Sequence, residues 1–414
     1  MNNRTRHILI IGFVWPEPDS SAAGTRMLQL MELFIHQGWK VTFSSAATES
    51  NFTYDVTRLG ADKVKISLND SGFDLFIKDL NPDYVLFDRF ITEEQFGWRV
   101  AENCPEAVRI LDSEDLHCLR RARQKAFEEN RRFTDEDLMS DDAKREIASV
   151  LRCDLSLIIS SFEMNLLSNL FKVDQSLLHY LPFMPDPLDE NDIKNWPSFE
   201  SRKHFITIGN FLHEPNWNAV LYLKQTIWPI IRKELPDAEM RIYGSYPSQK
   251  VFKLHKPIEG FFIMGRAENA ARVVRTARVC LAPLRLGAGI KGKLIEAMQC
   301  GTPSVTTNIG AEGIPGNLEW TGIVANESDG IAAAAIKLYT DQVEWDKAQK
   351  RGIRIINECY SKKAAGIELI NKILEVQDNL QKHRMQNFTG AMLMHHTVLS
   401  TKYMSKWIEE KNKR

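Results

Sequence analysis

None of the six cysteines is spaced C-x-x-C, and no zinc-type cysteine and histidine spacing occurs. Cys104, Cys118, Cys153, Cys280, Cys300 and Cys359 sit largely in apolar runs, which reads as reduced, buried thiols of a cytoplasmic protein. Charge of neither sign dominates. Lys and Arg number 53 and Asp and Glu 54, a net charge of −1, which argues against nucleic acid as the main partner. No apolar run approaches the ~20 residues of a membrane span. The apolar run that follows basic Met1–Arg6 is cut short at Gly12, against a signal peptide. No G-x-x-x-x-G-K-[ST] is present, which excludes a Walker A loop, and no G-x-G-x-x-G follows the first strand, which weighs against a nicotinamide oxidoreductase.

What is present is a chain of 414 residues, 43% hydrophobic and 26% charged, enough for two domains with separate cores. It is organised around Leu281–Ile314. A short apolar run ends at Pro283 and Leu284, and a glycine turn follows from Gly287 to Lys293. A helical pattern then runs from Leu294 to Met298, and Ser304-Val305-Thr306 begins another strand. Strand, glycine loop, helix and strand make the βαβ unit of a parallel sheet. A helix that starts after such a loop offers unpaired N–H groups and the positive end of its dipole, a setting for phosphate. Lys291 and Lys293 add cations there, against the helix dipole, which an anionic ligand would offset. Glu296 is placed to meet a sugar or ribose hydroxyl.

Before this stretch the chain repeats buried strands. The run at 7–11 is followed by a long loop, a helix Thr25–His36 capped by one of Asp19, Ser20 or Ser21, and a strand Lys40–Ser44. Arg26 reads equally as an anion contact and as a solvated arginine. Strands at 83–88 and 107–111 follow, the second running into Asp112-Ser113-Glu114-Asp115-Leu116-His117. Ligands of open α/β sheets bind beyond the carboxyl ends of the strands, so His117, Asp112 and Asp115 are the candidate chemistry of this half. The alternatives are a structural histidine and helix-capping aspartates. The charged stretch Leu119–Ser149 reads as one or two surface helices. Residues 182–197, rich in Pro, Asp and Asn, form a linker whose Asp186, Asp189 and Asp192 are solvated charge rather than a metal cluster. A second series starts at His204–Asn210, with a helix Trp217–Glu234, strands at 239–243 and 261–266, and Asn308, Gly310, Glu312 and Gly313 beside the cleft. The tail 381–414 is helix-prone, with Met392, Leu393, Met394, Leu399 and Trp407. It is suited to the body, a second copy or a membrane. Its adjacent His395-His396 cannot share one helix face and is read as non-metal.

Glu296-Ala297-Met298, Gly301-Thr302-Pro303 and Glu312-Gly313-Ile314 resemble the donor-binding segment of glycosyltransferases with two Rossmann-like domains, the GT-B fold, in a family-4-like group. The form is that of a "GAGIK.K..EA" subgroup. The family's first glutamate would fall eight residues before Glu296, where this chain has Ala288. Gly209–Ala219 resembles a second segment of the family. The resemblance implies an α/β chain with two Rossmann-like domains facing a central cleft, and C-terminal helices crossing back to the N-terminal domain. The domains would be 1–185 on the acceptor side, a linker 186–202, 203–375 on the donor side, and a tail 376–414.

The resemblance further implies transfer of a sugar from a nucleotide-diphospho-sugar (UDP-, GDP-, ADP- or TDP-linked) to a glycan, lipid-linked or small-molecule acceptor. Configuration would be retained, and neither metal nor cofactor required. Donor-site residues would be Gly209, Asn210, Gly244, Arg266, Gly287, Gly289, Ile290, Lys291 and Glu296. Gly24, Arg26 and Asp115 would serve the acceptor side, with Lys291, His117 and Asp112 nearest the chemistry. The diphosphate would rest on the N–H groups of Gly289–Lys291. The expected setting is the cytoplasm, with peripheral membrane contact open to the tail. The competing readings are a non-catalytic scaffold, favoured by Ala288, and a sugar-nucleotide epimerase of the same fold.

Overall fold

The structure, a computed structural model, describes residues 5–412, and the side chains of these except 396–399. Residues 1–4 of the basic N-terminus and 413–414 of the tail lie outside the described residues, as do the side chains of His396 of the histidine pair and Leu399 of the tail.

Two parallel sheets carry the fold. The first contains β1 (His7–Gly12), β2 (Lys40–Ser45), β3 (Asp62–Lys65), β4 (Tyr84–Asp88), β5 (Val108–Asp112), β6 (Leu155–Ile158) and β7 (Leu178–Tyr180), in the order β3-β2-β1-β4-β5-β6-β7. The second contains β8 (Lys203–Ile208), β9 (Met240–Tyr243), β10 (Phe261–Gly265), β11 (Ala277–Ala282), β12 (Ser304–Thr306) and β13 (Gly322–Val324), in the order β10-β9-β8-β11-β12-β13. Each is doubly wound, reversing direction beside its first strand, where open α/β sheets form a crevice.

Burial on both faces explains the continuous apolar runs. In β1, Leu9 and Ile11 join a core with Val85, Phe87 and Leu111, while Ile8 and Ile10 face the opposite core with Met27, Leu30 and Phe34. The helix Lys362–Asp378 completes that second core through Leu369, Ile370, Ile373 and Val376, so the chain does cross back to the first domain. Leu119–Ser149 resolves into the helices His117–Glu128 and Asp141–Arg152, with a short 3-10 turn between them.

The helix expected over Trp217–Glu234 is broken into Glu214–Tyr222, a π-turn Leu223–Ile227 and Trp228–Glu234. Pro229 is the reason: it supplies no N–H and crowds the preceding turn, which widens to accommodate it. In the linker, Asp189 caps the short helix Glu190–Lys194 and Asp186 pairs with Lys362 at 3.1 Å, so these acids are structural. Among the described residues no group of three ligating side chains gathers, and no helix is long and apolar enough to cross a membrane. All six thiols are free, five of them buried.

Candidate functional site

The two sheets turn their carboxyl edges toward each other across a cleft of about 1120 Å³. From the second domain, Gly287 and Gly289 take φ of +137° and +63°, values that favour glycine and fold the loop after β11 back on itself. The helix Gly292–Gln299 starts directly after it, with Lys291 as its cap residue. A Cβ on Gly292 would lie 2.4 Å from that of Ala22, the first residue of the helix Ala22–His36 in the other domain. The positive ends of two helices therefore converge on one point of the cleft, and Lys291 and Lys293 stand beside it.

Both lysines are held. Lys291 Nζ donates to the Gly289 carbonyl at 2.7 Å, and Lys293 Nζ donates to Asn216 Oδ1 at 2.6 Å. Asn216 in turn donates to the Asn210 carbonyl at 2.8 Å. Gly209 leaves room for this network, since a Cβ there would meet the Asn216 amide and Lys293 Nζ. Burial lowers Lys293 to about 8 and lowers Lys291, whose fall Glu312 opposes. Burial also raises Glu296 to about 7, against the pull of Lys293. An arriving anion would reverse the lysine shifts, because it compensates charge that burial disfavours.

Of the candidate donor residues, Gly209, Asn210, Gly244, Arg266, Gly287, Ile290, Lys291 and Glu296 line the cleft, with Arg266 stacked over Phe52 at 4.3 Å. Gly289 does not line it. Its N–H, expected to hold phosphate, donates instead to Glu163 Oε1 of the first domain at 2.8 Å. The Gly287 carbonyl is likewise taken by Arg123 at 2.8 Å, and Arg123 also makes a two-pronged pair with Glu312. Asn308, Gly310, Glu312 and Gly313 are not among the lining residues, contrary to expectation. Glu312 is committed to Arg123, and Gly313 packs against Ser160.

In the first domain His117 and Asp115 face the cleft, as does Gly24. Asp112 and Arg26 do not. Both are fully buried, with Arg26 Nε and Nη2 at 2.9–3.2 Å from the Asp112 carboxylate. Arg26 Nη1 also donates to the carbonyls of Leu181 at 2.7 Å and Pro182 at 3.2 Å, so it ties the start of the linker to the sheet.

His117 opens its helix with Nε2 3.4 Å from Asp115, which also pairs with Arg120, and its ring meets Phe90 edge-on. Burial lowers the imidazole to about 3, so it is neutral near pH 7. Two buried carboxylates already occupy this helix N-terminus. Glu163 accepts from Leu116 N at 3.0 Å, and Glu146 accepts from His117 N at 3.0 Å and Cys118 N at 2.8 Å. These acids fix where His117 points, and only a tertiary contact could reveal them.

Burial raises Glu146 from 4.5 to about 7, against the bonds from Cys118 and His117. The folded chain then keeps a proton that the unfolded chain has released, so stability falls as pH rises from 4.5 to about 7. A shift of this size corresponds to about 3 kcal/mol. Glu146→Gln is expected to flatten the decline of melting temperature across that window. Parallel curves for variant and wild type would show that Glu146 is not the titrating group.

Two lining residues beside His117, Asp88 and Arg89, were not among the candidates; Glu114, part of the candidate run Asp112–His117, lines the cleft with them. Arg89 and Glu114 hold φ of +72° and +62°, strain of a kind that collects at functional sites. Burial, then Asp112 and Asp88, push the Glu114 carboxyl upward. The cleft is bridged by Tyr246, whose hydroxyl donates to Glu17 at 2.8 Å.

Residues 202–341 match the family model described as Glycosyl transferases group 1. No curated protein matches the chain. Among solved structures, sucrose-phosphate synthase (tll1590) from Thermosynechococcus elongatus aligns with a TM-score of 0.68 at 15% identity, covering 90% of this chain and 99% of its own. Anabaena Alr3699/HepE in complex with UDP and glucose gives 0.66 at 11%, covering 88% and 98%. The pneumococcal O-GlcNAc transferase GtfA in complex with UDP and GlcNAc gives 0.66 at 14%, covering 90% and 99%. The chain thus has the two-domain GT-B architecture, and its second domain carries the glycosyl transferases group 1 segment at residues 202–341.

Proposed function

We propose that this chain is a metal-independent, retaining glycosyltransferase that moves a hexose from a nucleoside-diphosphate sugar to an acceptor held by the first domain. The observation that carries the reading is the convergence of two helix N-termini, at Ala22 and Gly292, beside Lys291 and Lys293 on the cleft wall. That arrangement suits a diphosphate, and it stabilises the negative charge that develops when the diphosphate leaves. With Gly289 N–H bonded to Glu163, the phosphate contacts fall to the lysines and the first turn of Gly292–Gln299. Glu296, on the same helix, takes a donor hydroxyl. Neutral His117, with Asp115 and Glu114, faces the sugar from the acceptor side. Closure of the cleft keeps water from the donor. The solved structures with UDP and sugars on this fold support a nucleotide-sugar donor here.

The test is thermal denaturation with UDP-, GDP-, ADP- and TDP-sugars. One nucleotide should raise the melting temperature, by the equivalent of about 2.7 kcal/mol at a hundredfold excess over Kd. Lys291→Ala and Glu296→Ala should remove the shift. Stabilisation by none of the four would favour a scaffold that retains the fold without the activity.

A further inference from the structure

We infer that the C-terminal helix Phe388–Asn412 docks the protein on an anionic lipid bilayer through its outer face. One face of this helix is buried on the first domain, against the helices Arg89–Asn103 and Asp141–Arg152. Gly390 abuts the Leu151 carbonyl, Met394 accepts from Arg109, and Ser405 meets Arg99. The opposite face carries four exposed large hydrophobic side chains, with Glu410 as the charge among them at its C-terminal end, where a soluble helix is ordinarily polar throughout. Phe388, Met392, Tyr403 and Trp407 are 76%, 48%, 65% and 59% exposed. Their spacings of four, eleven and four residues place them on one side at 3.6 residues per turn.

Charge identifies the occupant. Residues 381–414 contain seven Lys and Arg against two Glu, in a chain whose totals are 53 and 54. The rest of the chain is therefore acidic and the tail basic. Lys406 and Lys411 are exposed at the edges of the apolar stripe, and Lys411 Nζ lies 5.2 Å from the centre of the Trp407 ring. An apolar stripe with Trp and Tyr and basic flanks is the pattern of a helix lying in a bilayer interface, its rings at headgroup depth and its lysines toward lipid phosphate. A second copy would bring two basic tails together, which opposes a dimer on this face. The helix is not long and apolar enough to span a membrane, so the contact is peripheral. It is made on the domain to which the functional reading assigns the acceptor, but it does not depend on that reading.

The experiment is flotation of the full chain with vesicles of phosphatidylcholine alone and of phosphatidylcholine with phosphatidylglycerol. Wild type should float with the anionic vesicles, less so as salt is raised, and remain below with phosphatidylcholine alone. The triple variant Phe388→Ser, Tyr403→Ser, Trp407→Ser should lose flotation, and its exposed positions leave the melting temperature unchanged. Lys406→Gln with Lys411→Gln should weaken binding roughly thirtyfold, the expected effect of two lysines near the surface. The inference is overturned if wild type floats with neither vesicle or if the triple variant floats as wild type does. It is equally overturned if wild type sediments as a dimer without lipid and the triple variant as a monomer, since a second copy then covers the face. None of these outcomes touches nucleotide binding in the cleft.

Discussion

Lys291→Ala should lower turnover of the nucleotide-sugar by roughly 10²–10³-fold, on the scale of the loss when one oxyanion-hole donor is removed from an active site. The argument rests on position. Lys291 is buried at the N-terminal end of Gly292–Gln299, and its ammonium donates to the Gly289 carbonyl two residues away. That contact is local and leaves the ammonium able to turn toward a diphosphate. Lys293 is tethered to Asn216, and a larger displacement would be needed for it to do the same. The measurement is release of nucleoside diphosphate at saturating donor, with the melting temperature of the unliganded variant as control. A variant that melts as wild type and turns over slowly supports the role. Unchanged turnover would remove Lys291 from the site and transfer the charge to Lys293.

Arg26→Ala should unfold the first domain under conditions in which the wild type is stable. The substitution leaves the fully buried Asp112 carboxylate without its cation. Breaking one side of a buried pair costs about 3–5 kcal/mol, a large part of a domain's ordinary stability. It also strips the carbonyls of Leu181 and Pro182 of a donor, loosening the chain where it leaves the first sheet. Replacing both partners, Arg26→Met with Asp112→Leu, should recover much of the loss, because no charge is then left buried. Urea denaturation read by tryptophan fluorescence measures both variants. Arg26→Ala with unchanged stability and a raised acceptor KM would return Arg26 to the acceptor role that its place on the first helix suggested.

Arg26 and Asp112 show why the site was only half legible in the sequence. The run Asp112–Asp115 was visible as polar residues at a strand end, and that end does reach the cleft. Asp112, the last residue of β5, is buried against Arg26, while the chain turns at Glu114, with φ of +62°, so that Glu114 and Asp115 line the cleft. The partner of Asp112 lies 86 residues away, beyond any local pattern. Glu163 and Glu146 are hidden for the same reason. Each looks like an ordinary helix carboxylate until folding sets it on the backbone of another element.

Local chemistry was legible along the chain: buried strands as apolar runs, the glycine loop after β11, and a helix start carrying Lys291, Lys293 and Glu296. These depend on residue type and short spacing, which act over a few residues of chain. Tertiary structure alone decided which polar groups remain free for a ligand. Gly289 N–H, the Gly287 carbonyl and Glu312 are consumed by Glu163 and Arg123 from the other domain, while Arg89 and Glu114 are brought to the rim at strained angles. A buried polar group must find a partner wherever the fold places one, and that choice is made between elements far apart in the chain.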